Sequence, residues 1–196
     1  MVKRHEPRTV TDPAAWRALA HPLRMRLLDE LMDVPSARAT DLAEAVDQPV
    51  NSVSFHLRQL ARYGYVERDE HDGDRREKWW RATSRNGFRI SGGPDTEAKA
   101  EAGRELVQVI RAHTHATVDE WLAAIGDTDP DVDVESMNHD VRLHLTDVEF
   151  AQFRQEMGAL WDRWMSTSRA HDKDRSGLVT LRDVGFGWTD RSVATE

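Results

Sequence analysis

The sequence predicts a mostly α protein with small β content. A unit of short helices and one hairpin is followed by a long helix and a small α+β C-terminal region. Three observations carry this expectation. Apolar residues recur at helical spacing through most of the chain. Alternating, strand-like runs are few and short, "YVERDE" and "EKWWRAT" being the clearest pair. A helical pattern then runs from Asp95 to about Ile125 with no proline inside it.

"DPAAWRALAH" opens the first helix. Asp12 can cap it, Pro13 suits its first turn, and Trp16, Leu19 and Ala20 share a face. Pro22 begins a second helix, on which Leu23, Leu27, Leu28 and Leu31 recur at helical steps. "TDLAEAVD" reads as a short third helix capped by Thr40, with Leu42 and Val46 facing inward. Pro49 fits the first position of a fourth helix over residues 49–63, whose buried stripe is Val53, Leu57 and Leu60. Gly64 ends that helix. The two strands that follow join around "HDGDR", where Asp72-Gly73 is a hairpin signal. Three helices and a two-stranded hairpin of this kind make a winged helix-turn-helix, placed at residues 12–84.

"RNGFRISGGP" (85–94) reads as a linker, and residues 95–127 as the long helix. Its apolar positions include Ala98, Ala102, Leu106, Val118, Leu122 and Ile125. That is more apolar surface than a small domain covers, so the same helix of a second subunit is the expected partner. The C-terminal α+β region, 141–190, is expected to serve dimerisation or effector binding. It contains "VRLHL" (Val141–Leu145) as a strand, then a helix opened by a Thr146/Glu149 capping box, then "LVTLRDVGFGW" as a last strand.

Composition excludes several function classes. With no Cys there are no disulfides, thiolate metal sites or Cys nucleophiles. No apolar run approaches a membrane span, and "MVKRHEPRTV" is no secretory signal, so the expected location is the cytoplasm. The net charge of −8 is unevenly spread. Residues 1–90 hold 16 of the 27 Lys and Arg and 14 of the 35 Asp and Glu, a net of +2; the remainder carries −10. No acidic residue falls between Asp47 and Glu67. Because charges act over a Debye length of about 8 Å, an acidic second half does not prevent the first from meeting nucleic acid.

At residues 18–83 the sequence resembles the ArsR-type (arsenical-resistance-repressor-like) winged helix-turn-helix regulators of bacteria. The motifs are "ALAHPLRMRLLDEL", "TDLAEAV", "SVSFHLRQLARYGYVE" and the wing segment "RREKWWRAT". The resemblance implies a homodimeric transcriptional repressor whose fourth helix enters the major groove of double-stranded DNA. Two such helices about 34 Å apart would read a pseudo-palindromic operator. It also implies an effector, which could be a small molecule, that alters dimer geometry.

The residues agree with that implication. At 100° per residue the face opposite the buried stripe presents Asn51, Phe55, Arg58 and Arg62, flanked by Ser52, Gln59, Ser54 and, at the preceding turn, Gln48. Polar and basic groups of this kind suit base edges, and Phe55 suits a thymine methyl. Arg62, Arg75, Arg76 and Lys78 suit phosphates. The wing also carries Asp69, Glu70, Asp72 and Asp74, which opposes a strongly basic wing. The same arginines would also serve as plain solvated helix charges. A winged helix used only to hold another protein is the alternative reading.

His113 and His115 point about 200° apart and cannot share one ion; His115 with Asp119 supplies two candidate ligands for a metal-sensing site. "DKDRSGLVTLRD" places Asp172, Asp174, Ser176 and Asp183 at calcium-loop positions, but the last is Asp and no helix pattern follows. A polar turn is the plainer reading of that segment. Trp121, Phe150, Phe153, Trp161, Trp164 and Trp188 form either a core or a candidate ligand pocket. There is no P-loop, G-x-S-x-G, H-E-x-x-H or dinucleotide fingerprint, so neither an enzyme nor a cofactor is expected.

Overall fold

The computed structural model describes residues 8–69, 78–85, 87–90, 95–126 and 143–171. Helices dominate. In chain order the elements are β1 (Arg8–Val10), α1 (Pro13–Leu19), α2 (Pro22–Asp33), β2 (Ala37–Arg38), α3 (Ala39–Ala45) and α4 (Val50–Arg62). Then come β3 (Val66–Asp69), β4 (Trp79–Ala82), β5 (Phe88–Ile90), α5 (Glu97–Gly126) and α6 (Asp147–Arg169).

Helix α1 starts where expected: Asp12 accepts the Ala14 amide at 2.9 Å and Pro13 occupies the first turn. Helix α2 is capped by His21, whose Nδ1 accepts the Leu23 amide at 3.1 Å. Helix α3 differs from the expected capping. Thr40 lies inside it, and the cap is Arg38, whose backbone N–H donates to Asp41 at 3.2 Å. The Arg38 guanidinium also meets that carboxylate at 2.7 Å, and Asp41 titrates below its ordinary range chiefly because of this contact. Pro49 stands one residue earlier than expected, as the cap of α4.

The sheet is larger than a hairpin. Strand β4 pairs antiparallel with β3 on one side and with β2 on the other, giving the order β2-β4-β3. Together with α2, α3 and α4 this makes the winged helix-turn-helix. The segment expected to be a linker is partly ordered as β5, which runs parallel to β1 with Arg8 opposite Phe88. The folded unit therefore includes residues on both sides of the expected boundaries.

The core joins α1, α2, α3, α4, the sheet and the first half of α5. Leu27, Leu31, Val53, Leu57, Leu60 and Tyr65 are wholly shielded from solvent. The Tyr65 hydroxyl donates to the Ala15 carbonyl at 2.9 Å, and Trp16 Nε1 donates to the Val10 carbonyl at 3.1 Å. These two bonds satisfy the polar ends of the large aromatic core residues, as burial requires.

Helix α5 has two faces. Ala102 and Leu106 are buried in the same chain, against the core that holds Trp16, and not left for a second subunit as their apolar character suggested. Arg17 fastens that contact, reaching Glu101 at 2.9 Å and Glu105 at 3.5 Å. Further along, His113 meets Asp29 of α2 at 2.7 Å. The other face leaves Val107, Val118 and Leu122 exposed.

Helix α6 carries its capping box as expected: the Thr146 amide donates to Glu149 at 2.8 Å, and the Glu149 amide to the Thr146 hydroxyl at 3.3 Å. It buries none of its residues. Of the strand expected before it, Leu143, His144 and Leu145 have no regular structure, and residues 141–142 lie outside the described residues. The last expected strand and the 172–183 loop also lie outside them. No helix of the described residues is long and apolar enough to cross a membrane.

Candidate nucleic-acid interface

Helix α4 is anchored by Val53, Leu57 and Leu60, all fully buried. These anchors fix its rotation, so the opposite face must look outward. Asn51, Phe55, Arg58 and Arg62 are exposed there, with Phe55 at 49%. Ser52, Ser54 and Gln59 are half-buried along the edges, and Gln48 is exposed just before the helix. Phe55 touches the His56 ring edge-on, with centroids 5.3 Å apart, yet leaves about half of its surface open on this face, which makes it the most informative of these residues.

Two local features aim this helix. The turn between α3 and α4 reverses at Asp47, whose φ of 51° lies in the left-handed region that Asp tolerates better than most residues. The Gln48 amide then bonds back to the Ala43 carbonyl at 3.0 Å, closing α3. At its start α4 has no side-chain cap and no acidic residue in its first turn. Its leading amides and the positive end of its dipole are therefore presented outward, the arrangement that accepts phosphate. At its end Gly64 adopts φ 72°, and its carbonyl accepts from Arg8 and, at 2.7 Å, from Thr83.

The sheet adds a residue that the sequence reading missed. Arg68 pairs in register with Trp80, and its guanidinium carbon lies 3.7 Å from the Trp80 ring centroid. Burial, and then the nearby charge of Arg58, lowers its pKa. Arg58 on the helix and Arg68 on the strand thus form one basic pair. The signal was present as alternation: Arg68 shares a strand face with buried Val66, whereas Glu67 and Asp69 share the other. Those two carboxylates are occupied by Arg81, at 2.7 Å and 3.8 Å. Of the four acidic residues that oppose a basic wing, Asp69 is thus paired and turned away from Arg68, and Glu70, Asp72 and Asp74 lie outside the described residues. Lys78 is exposed at the start of β4, and Arg75 and Arg76 lie outside the described residues.

Beneath α4 sits a cluster of nitrogen-rich side chains. The rings of His21 and His56 lie 4.5 Å apart, centroid to centroid. Arg24 joins them, donating to the Arg17 carbonyl at 3.1 Å. His56 Nδ1 and Arg24 Nε are shielded from solvent with no hydrogen-bond partner among the described residues. Both imidazoles are held below their ordinary pKa, chiefly by burial. Arg24 adds to this at His21, and His21 and then Arg24 add to it at His56. The cluster joins the start of α2 to the middle of α4 and keeps both rings neutral near neutral pH.

Among the described residues the remaining candidates are not assembled into sites. His115 and Asp119 are exposed on α5, and no group of three metal-ligating side chains occurs among the described residues. Asp172, Asp174, Ser176, Asp183 and Trp188 lie outside them. Phe150, Phe153, Trp161 and Trp164 share one face of α6, and no described element closes over them to make a cavity. Trp121 lies on α5.

Residues 19–68 match the family model described as a helix-turn-helix domain, spanning α2 to β3 and hence the whole of α4. No curated protein matches the chain. Among solved structures, a mutant of ZitR from Lactococcus lactis in the apo form is 14% identical, with a TM-score of 0.34, covering 74% of this chain and 83% of that one. A crystal structure described as a transcriptional regulator is 21% identical, with a TM-score of 0.29, covering 79% and 84%. Both overlays are too loose to carry function, which rests on the helix-turn-helix match and the geometry of α4.

Proposed function

We propose that this chain is a sequence-specific DNA-binding transcriptional regulator, acting as a homodimeric repressor that responds to a signal. The observation that carries the reading is α4. Three fully buried aliphatic residues fix one side, while Asn51, Phe55, Arg58 and Arg62 stand exposed on the other. That outer face combines amide, aromatic and guanidinium groups in an acid-free stretch. Base edges ask for this mixture, whereas the centre of a dry protein interface is depleted of charge. In this reading Asn51, Phe55 and Arg58 meet bases. Arg62, Arg68, Lys78 and the leading amides of α4 meet phosphates.

Dimerisation is assigned to the outer face of α5, where Val107, Val118 and Leu122 are exposed while its inner face is already occupied by α1 and α2. Because α5 also completes the core, deleting it would damage the domain itself. Val118→Asp with Leu122→Asp is the cleaner probe.

Fluorescence anisotropy on DNA from upstream of the chain's own gene, against random duplex and across salt, tests the reading. A clear preference for the upstream DNA, with affinity falling as salt rises, supports a sequence-specific regulator. No binding to either duplex at low salt would sink it in favour of a protein-interaction module.

A further inference from the structure

Helix α6 is an amphipathic helix whose apolar side is not buried by any of the described residues. Its capping box lets it start without help from the rest of the fold, and none of its residues is buried. Phe150, Phe153, Met157, Leu160, Trp164 and Thr167 follow one another at steps of 3, 4, 3, 4 and 3 residues. This is the spacing of a coiled-coil seam, with Trp161 widening one of its edges. The occupant such a seam fits is another helix with the same spacing.

The flanking charges choose which helix and which direction. One edge of the seam carries Glu149, Glu156 and Arg163; the other carries Arg154, Trp161 and Ser168. Glu156 and Arg163 lie on the same edge, seven residues or about 10 Å apart along the axis, too far to pair within one helix. Among the described residues Glu156 holds Gln152, at 2.9 Å, and Arg163 rests 5.6 Å from the Trp164 ring centroid. A parallel second copy would set Glu156 beside Trp161 and Arg163 beside Ser168, and would stack Trp164 on Trp164 and Phe153 on Phe153. An antiparallel second copy resolves both problems in one register. Glu156 of each copy then faces Arg163 of the other, and each Arg154 faces Trp161. The layers become Phe150 with Thr167, Phe153 with Trp164, and Met157 with Leu160, each pairing a larger side chain with a smaller or flexible one.

We propose that α6 pairs antiparallel with α6 of a second copy of this chain, Phe153 against Trp164 and Glu156 against Arg163. This is a second self-association surface, separate from the outer face of α5 and independent of DNA binding.

The absence of cysteine makes the test direct. Met157→Cys and Leu160→Cys are made separately in the full chain, at exposed positions where neither should disturb folding. Each is oxidised with copper phenanthroline alone and as an exchanged equimolar mixture, and disulfide dimer is followed on non-reducing gels. The expected result is cross-linking in the mixture on the order of tenfold faster than in either variant alone, because only the mixture places the two Cα atoms within disulfide reach. Equal or faster cross-linking of each variant alone means parallel pairing and overturns the proposal. No cross-linking in any sample means the seam meets something other than a second α6, and overturns it too. Charge exchange gives the independent check. In the cysteine background Glu156→Arg and Arg163→Glu should each slow cross-linking, and the two together should restore it. No restoration would remove the basis for the register.

Discussion

Helices α4 and α6 are both amphipathic, both have apolar residues at helical spacing, and both stood out in the sequence. The first buries Val53, Leu57 and Leu60 completely; the second buries nothing. Amphipathic pattern therefore says that a face wants covering, and only the tertiary structure says whether the cover lies within the chain. The residues left over differ as well. On α4 they are polar and basic with one phenylalanine, which suits a polyanion with an apolar methyl in its groove. On α6 they are aromatic and aliphatic with charges at the edges, which suits another helix.

The largest effect expected from this contrast is on stability. Leu57→Ala should cost about 2–5 kcal/mol, the range for opening a cavity in a packed core. Leu160→Ala, on the exposed seam, should cost no more than about 0.5 kcal/mol in dilute protein. Urea unfolding of both variants at low concentration decides it. Equal losses would mean that α6 is packed within its own chain.

The next effect sharpens the other side of the comparison. Arg58→Ala should weaken operator binding by about 1–3 kcal/mol if it meets a base, while leaving the unfolding midpoint nearly unchanged. Arg62→Ala should instead weaken all sequences alike and flatten the salt dependence. Arg58→Ala without effect on affinity would remove α4's outer face from the interface.

The parts legible in the sequence were those carried by local pattern. Asp12 and Pro13 announced α1, Val53, Leu57 and Leu60 set the rotation of α4, and Thr146 with Glu149 marked the start of α6. What escaped depends on distant partners. Strands β1 and β5 are three residues each and meet across about eighty positions, so neither has enough alternation to register. The β2–β4 bridge is shorter still. Thr40 looked like a cap because hydroxyls usually fill that role, yet Asp41 reaches back to Arg38 and takes it. Leu143 and Leu145 alternate, but among the described residues both are exposed and in no regular structure. On α5, Ala102 and Leu106 were read as waiting for another subunit because the contact that buries them, with α1, lies more than eighty residues away. Arg68 was missed because its role depends on the helix across from it.

A smaller effect probes the joint between α1 and the sheet that supports α4. Tyr65→Phe removes the hydroxyl that bonds the Ala15 carbonyl. A loss of about 0.5–1.5 kcal/mol is expected, the net worth of one buried hydrogen bond. The same change should leave DNA affinity of the folded fraction intact, since Tyr65 is wholly buried and Arg58 is exposed. A drop in affinity without a drop in stability would place Tyr65 in the recognition surface instead.

The smallest effect concerns the histidine joint. His21 must be neutral to cap α2, because its Nδ1 accepts the Leu23 amide and a protonated ring has no lone pair to offer. His56 stacks against it with Nδ1 shielded from solvent. The facing charge is Arg24 from α2, beside the Tyr63 phenol at the end of α4, and among the described residues no carboxylate acts on either imidazole. Both rings titrate below the ordinary value when folded, while in the unfolded chain they take protons at about pH 6.5. Below that pH the unfolded state binds more protons, so stability falls as pH drops through about 6.5. It levels off once the folded rings also titrate. His21→Asn supplies an acceptor that works at every pH, and His56→Gln removes the second ring. The double variant should match the parent near pH 8 and lose less stability by pH 5.5, with a difference below about 1 kcal/mol since the rings are only partly buried. Urea midpoints across that range measure it. Parallel curves for parent and variant would mean that the two rings do not sense pH, and that the acid sensitivity of the fold arises elsewhere.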